Sequence, residues 1–336
     1  MTFRIGILGA GDMGNVHANI LRADPRVQVV AVADPDTERA RLLAAPSRAK
    51  ILGSLEELLS EGINILFICS PNFTHAQAAI AALKENVHVF SEKPMAVNEA
   101  DAGRIAEAAA KSSGIYQLGF NRRFSPAYVA IREKISAGFI PYLLDIKMNE
   151  GEISNRPWAM DTKKTGGHLH ENVLHFFDLI QWLQGPIREI FAFGRKNVYE
   201  DMTDFTISFV TQNERLASIS TSGHATWFHP WERVEVIGNH EAMITNEVED
   251  FTYSPGNRRE IQTKHFYQFS REVKWGYEGE IRAFLDSIEK GTPSLYTAEM
   301  GLEIFRLVEC AYESARTGKK VTIPPKTSGA PQLIER

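Results

Sequence analysis

Short apolar runs recur along the first third of the chain at Phe3–Leu8, Val27–Ala33, Ile63–Cys69, Val87–Phe90 and Ile115–Leu118. Between them, residues 13–23, 36–45, 54–60, 73–85 and 98–112 place alanine, leucine and charged residues at helical spacing. Strands covered on both faces can be apolar throughout, so this rhythm predicts βα units wound around a parallel sheet. Ser54 before Leu55-Glu56-Glu57 and Asn98 before Glu99-Ala100-Asp101 read as helix N-caps.

The pattern changes near residue 140, where Pro141 leads into a strand over 142–148. From about 186 to 267, strand-like segments follow one another at 188–197, 202–211, 215–223, 231–238 and 242–246. Consecutive strands without intervening helices predict an antiparallel sheet. Helical patterns over 279–290 and 297–317 come last. The reading is an α/β chain: a doubly wound parallel sheet in residues 1–122, then an α+β domain with a large open, mainly antiparallel sheet in residues 123–336. A length of 336 residues suits two cores, since single cores seldom grow beyond roughly 250 to 300 residues.

Composition narrows the partners. A formal net charge of -5 with no basic stripe argues against nucleic acid. Two cysteines, Cys69 in an apolar run and Cys310 in a helical pattern, suit a reducing compartment better than a disulfide framework. The chain enters its first strand without a charged leader and an apolar segment, and no apolar stretch reaches about 18 residues. The expectation is a cytoplasmic protein with no membrane partner.

Gly9-Ala10-Gly11-Asp12-Met13-Gly14 follows the first strand and opens a helix, the context in which G-x-G-x-x-G signifies dinucleotide binding by a Rossmann domain. The first glycine makes the turn, the second admits a pyrophosphate, and the third lets helix and strand pack closely. The pyrophosphate then meets free amides at the helix N-terminus. Asp34 closes the second strand, where a carboxylate can accept from the adenosine ribose and repel a 2′-phosphate. The following Pro35-Asp36-Thr37 offers no cation to receive such a phosphate, so NAD is expected over NADP. A second reading makes Asp34 the N-cap of the next helix.

These motifs, taken with several farther along, resemble the Gfo/Idh/MocA oxidoreductases over nearly the whole chain. Ser70-Pro71-Asn72-Phe73-Thr74-His75 resembles the family's loop after the fourth strand, Glu92-Lys93-Pro94 its signature tripeptide, and Gly119 to Pro126, with Asn121, its next loop. Trp158-Ala159-Met160-Asp161 and Gly166-Gly167 resemble the approach to the active-site helix, which His175-Phe176-Phe177-Asp178 and Trp182 match. The resemblance implies an oxidoreductase acting on a sugar, cyclitol or similar polyol, with Lys93 and His175 near the reacting carbon. It implies cofactor contacts from Gly9, Gly11, Asp12, Met13, Gly14, Asp34, Ser70, Pro71, Asn72, His75, Glu92, Lys93 and Asn121. It also implies self-association through the open sheet, as a homodimer or homotetramer. Where many members carry Asp four residues before the histidine, this chain has Glu171.

Oxidation of an alcohol needs a group to take the hydroxyl proton and a cation to stabilise the developing alkoxide. His175 and Lys93 supply these between them, and sequence leaves open which is the base. Glu171 and His175 are four apart on an expected helix, where the carboxylate would orient the imidazole or bind a substrate hydroxyl. Lys93, Arg122, Arg123, Trp158, Glu171 and His175 are the candidate substrate contacts, with structural ion pairs the alternative for the arginines. Trp227 to Trp231 reads equally as pocket rim or subunit contact. No metal is expected; rival functions are a metal enzyme using His168, Glu171 and His175, a glycosidase acting by transient oxidation with NAD, and a dinucleotide-sensing regulator.

Overall fold

A computed structural model describes residues 2–151, 158, 161–228, 231–257 and 259–324. The first part alternates strands β1 (Phe3–Leu8), β2 (Val27–Ala33), β3 (Lys50–Leu52), β4 (Ile65–Ile68), β5 (His88–Ser91) and β6 (Tyr116–Leu118) with helices. Those helices are α1 (Asp12–Ala23), α2 (Thr37–Ala44), α3 (Leu55–Ser60), α4 (Asn72–Lys84) and α5 (Glu99–Lys111). All six strands pair in parallel in the order β3-β2-β1-β4-β5-β6. Strand order reverses between β1 and β4, so a crevice opens outside their carboxyl ends. The N-caps hold as read: Ser54 accepts from the Glu57 amide and Asn98 from the Asp101 amide.

Helix α6 (Pro126–Ser136) leads to the second sheet. It contains β7 (Leu143–Asn149), β8 (Ile187–Arg195), β9 (Asp204–Thr211), β10 (Leu216–Ser222), β11 (Glu232–Ile237), β12 (Ala242–Asn246), β13 (Asp250–Ser254), β14 (Gln262–His265) and the short β15 (Val321–Thr322). The order is β14-β13-β12-β11-β7-β10-β9-β8-β15, antiparallel except where β7 lies parallel to β10. The helices of this part are α7 (Thr162–Thr165), α8 (Leu174–Gln184), α9 (Arg271–Lys274), α10 (Tyr277–Lys290) and α11 (Ala298–Thr317).

Alternation fixes the faces of the sheet. Leu144, Ile146, Ile207, Phe209, Ile219 and Val234 are buried, with Phe177 of α8 edge-on to Phe209 and α11 packed on β8. The opposite face carries Asp145, Lys147, Ser218 and Glu235, with exposed Leu143, Phe193 and Leu216 among them. The parallel sheet closes its core with help from far along the chain. Ile281, Phe284 and Leu285 of α10 join Ile5, Ile7, Phe67 and Phe90 in one cluster, and Arg26 pairs with Asp286 at 2.6 Å. The sequence-based boundary at residue 122 separates the two sheets but not this packing. No described helix is long and apolar enough to cross a membrane.

Candidate active site

The glycine-rich turn has the geometry its spacing predicts. Gly9 has φ of +99°, and a side chain there would strike the Cys69 carbonyl at 2.6 Å. A Cβ on Gly14 would meet the Gly9 carbonyl at 2.2 Å, so helix and turn pack as only glycine permits. At Gly11 nothing lies within 4 Å of such a Cβ. This open side, next to the first amides of α1, is the space a pyrophosphate needs, and the residues fit the group. Met13 lies in that first turn.

The Asp34 carboxylate accepts from the Ala10 amide at 2.7 Å and the Asp36 amide at 2.8 Å, tying the end of β2 to the glycine turn. The N-cap of α2 is Asp36, not Asp34, because its side chain is the one that reaches the Glu38 and Arg39 amides. Asp34→Ser is expected to erode a preference for NAD over NADP in kcat/KM. Wild-type enzyme using both cofactors equally would overturn that expectation.

Across the crevice, the loop after β4 and the Glu92-Lys93-Pro94 segment are joined by His75. Its ring lies 2.8 Å from both the Ser70 and the Pro94 carbonyls, and burial holds the imidazole below its ordinary pKa despite those contacts. Ser70 and Thr74 share a hydroxyl hydrogen bond at 2.6 Å, and Thr74 donates to the Pro71 carbonyl, which fixes the turn into α4. Buried Glu92 meets His17 of α1 at 2.7 Å. Burial alone would raise the Glu92 carboxyl, but His17, Lys93 and His75 outweigh it and hold the pKa below the usual carboxylate range.

Lys93 Nζ donates to the main-chain carbonyl of Glu171 at 2.6 Å. Residues Leu169–Val173 form a π-helical turn before α8, and Gly166 and Gly167, both at positive φ, lead into it. The wider winding breaks the simple i,i+4 register expected for Glu171 and His175. The Glu171 carboxylate accepts instead from Asn72 Nδ2, while His175 Nδ1 has no hydrogen-bond partner among the described residues. The His175 ring is edge-on to Phe120 at 5.5 Å. Its pKa lies well below the ordinary value because it is buried and because the Arg122 and Lys93 charges reach it. The result is a neutral imidazole beside an ammonium.

Other expected residues are committed elsewhere. Arg122 donates to Glu232 at 2.8 Å and to Asn121 Oδ1 at 3.2 Å, and Asn121 donates in turn to the Trp275 carbonyl. Arg123 donates to Asp178 through Nε at 2.9 Å, and Tyr296 donates to the same carboxylate. The structure thus gives the ion-pair arrangement for both arginines, with Arg122 acting on the site through its charge on His175. Trp158 is edge-on to Phe73 at 6.5 Å, whereas Ala159, Met160, His229 and Pro230 lie outside the described residues. His168 turns to Thr221 at 2.8 Å. The described residues contain no group of three or more His, Cys, Asp or Glu that could hold a metal ion. Sequence reasoning missed His17, whose signal was its place three residues after Gly14 on the first helix, and Glu150, which accepts from Asn172 at 2.6 Å.

Residues 3–120 match the oxidoreductase family, NAD-binding Rossmann fold, and residues 135–323 match the C-terminal alpha/beta domain of the same Gfo/Idh/MocA family. The chain belongs to the Gfo/Idh/MocA oxidoreductases. This Gfo/Idh/MocA protein is 28% identical to the uncharacterized oxidoreductase YrbE of Bacillus subtilis, across 95% of the chain and 96% of the relative. It is 26% identical to myo-inositol 2-dehydrogenase of Thermotoga maritima, across 95% and 98%. Levoglucosan dehydrogenase, solved with NADH and levoglucosan, shares the fold with a TM-score of 0.89 at 18% identity, covering 96% of this chain and all of that one. The Gfo/Idh/MocA chain described here is an oxidoreductase with an NAD-binding Rossmann domain.

Proposed function

We propose that the enzyme oxidises a secondary hydroxyl of a cyclitol or sugar, with neutral His175 taking the hydroxyl proton and the Lys93 ammonium stabilising the oxyanion. The observation that carries this reading is the buried imidazole, held neutral by its surroundings and by the Arg122 and Lys93 charges. A base must be unprotonated before it can act, and this one is so at neutral pH. NAD, when bound, supplies the hydride acceptor. Glu171 positions Lys93: its carbonyl holds Lys93 Nζ, and its carboxylate accepts from Asn72 where α4 begins. Relatives named inositol 2-dehydrogenases support the cyclitol and sugar class.

The test is a panel of cyclitols, free sugars and glycosides, followed by NADH absorbance in both directions. Turnover on a cyclitol or sugar supports the reading. An enzyme that binds NAD yet turns over none of them refutes it.

The free thiols of Cys69 and Cys310 support a cytoplasmic setting. Exposed Leu143, Phe193 and Leu216 on the uncovered sheet face support a homodimer or homotetramer formed through that face. Light scattering at micromolar concentration is expected to give a multiple of the 37.7 kDa chain mass. A monomer would refute assembly through this face.

A further inference from the structure

The glycine-rich turn would meet a pyrophosphate with main-chain amides, but its lip carries a charge of the wrong sign. Asp12 is the first residue of α1 and is well exposed, so its carboxylate occupies the same positive helix end that a pyrophosphate would use. An anion site with a carboxylate at its rim needs a compensating cation. The structure brings one from the far end of the chain: Arg271 Nη2 lies 3.1 Å from Asp12 Oδ2, and Nη1 lies 3.5 Å from Oδ1.

The segment that carries Arg271 is anchored on both sides. Ser270 caps α9 by accepting from the Val273 amide, and Lys274 pairs with Glu249. Trp275 stacks on Trp231 with ring centroids 4.9 Å apart. Gly276, at φ of +84°, packs so closely on the Asn121 carbonyl that a Cβ would come within 2.2 Å of it. The backbone of Arg271 is therefore held against the loop that follows β6, while its side chain, about half exposed, reaches across to the glycine turn. Two of the five guanidinium N–H donors suffice for a carboxylate, which leaves others for a phosphate oxygen.

We propose that Arg271 is a cofactor-binding residue donated by the second domain, its guanidinium bridging Asp12 and the NAD pyrophosphate. The two side chains then have opposite effects on the cofactor, the arginine attracting the pyrophosphate and the aspartate repelling it. A merely structural surface pair would make them equivalent, because losing either partner would loosen the same contact.

The experiment is calorimetry of NAD, ADP-ribose and adenosine on the full-length protein and on Arg271→Ala, Arg271→Lys and Asp12→Asn, with thermal melts to verify folding. Arg271→Ala should weaken NAD and ADP-ribose by about tenfold and leave adenosine, which has no phosphate, unchanged. Arg271→Lys should recover part of the loss, and Asp12→Asn should bind NAD at least as tightly as wild type. The proposal is overturned if Arg271→Ala binds NAD like wild type, if adenosine weakens in parallel, or if Asp12→Asn weakens NAD as much as Arg271→Ala does. Wild-type protein that bound none of the three would instead refute the dinucleotide site itself.

Discussion

Replacing His175 with alanine should lower kcat by about two orders of magnitude or more, while the Kd for NAD stays within a few-fold of wild type. Lys93→Ala should do the same by removing the cation that stabilises the alkoxide. The double variant should lose less than the two single free-energy effects combined, because groups that act as a unit are not additive. The pH profile supplies an independent check. Only neutral His175 can accept the proton, and its burial with the Arg122 and Lys93 charges nearby holds its pKa well below the ordinary value. The kcat/KM plateau should therefore persist below about pH 6.5, where an unperturbed histidine would already titrate, and fall only at lower pH. Stability follows the same sign. The unfolded chain takes up this proton first as pH drops, so the contribution of buried neutral His175 is present above about pH 6.5 and lost as the pH falls toward its folded pKa. A His175→Ala enzyme with near-wild-type turnover, folded and binding NAD, would remove His175 from the mechanism.

Glu232→Ala should destabilise the second domain strongly. Glu232 is buried and accepts from Arg122 at 2.8 Å and from the Tyr128 hydroxyl. Removing it leaves the Arg122 guanidinium buried without its counter-ion, a loss on the order of 3–5 kcal/mol, which lowers Tm by roughly 5 °C in a chain of this size. The pair is to be compared with its joint replacement. Arg122→Met combined with Glu232→Leu removes both charges, and the double variant should melt above Glu232→Ala. A Glu232→Ala melt within about 2 °C of wild type would show that water or a neighbouring group compensates Arg122.

The parallel half of the fold was legible because each of its main strands is a block of apolar residues and two of its helices announce their caps, at Ser54 and Asn98. Strand β3 escaped notice because Lys50–Leu52 is three residues long at a sheet edge, with an exposed lysine in place of an apolar block. Helix α6 was missed because it follows directly on the Asn121 to Pro126 loop, which read as motif rather than as a helix start. The parallel pairing of β7 with β10 could not be read at all, since alternation along a strand reports which face is buried and not the direction of its neighbour.

The candidate site divides in the same way. Lys93 and His175 came from motif and position, and the structure brings them close enough for the Lys93 charge to act on the imidazole. The Glu171 carboxylate accepts from Asn72, ninety-nine positions away. Helical spacing placed Glu171 where it would orient His175 or bind a substrate hydroxyl, and that spacing assumes α winding, whereas Leu169–Val173 is wound as a π turn. His17, Glu232 and Arg271 act through contacts made far along the chain, which no local pattern encodes.

The contribution of α10 to the first core has a consequence for biosynthesis. Ile281, Phe284 and Leu285 pack against Ile5, Ile7, Phe67 and Phe90, so the amino-terminal half leaves the ribosome long before the helix that seals it exists. At a synthesis rate of about 5–20 residues per second, an apolar flank of the nascent sheet waits roughly 10–30 s for its cover. Throughout that interval the growing polypeptide is a client for a chaperone, and a nascent chain stalled before residue 281 would be degraded or would aggregate rather than persist as a free nucleotide-binding fragment.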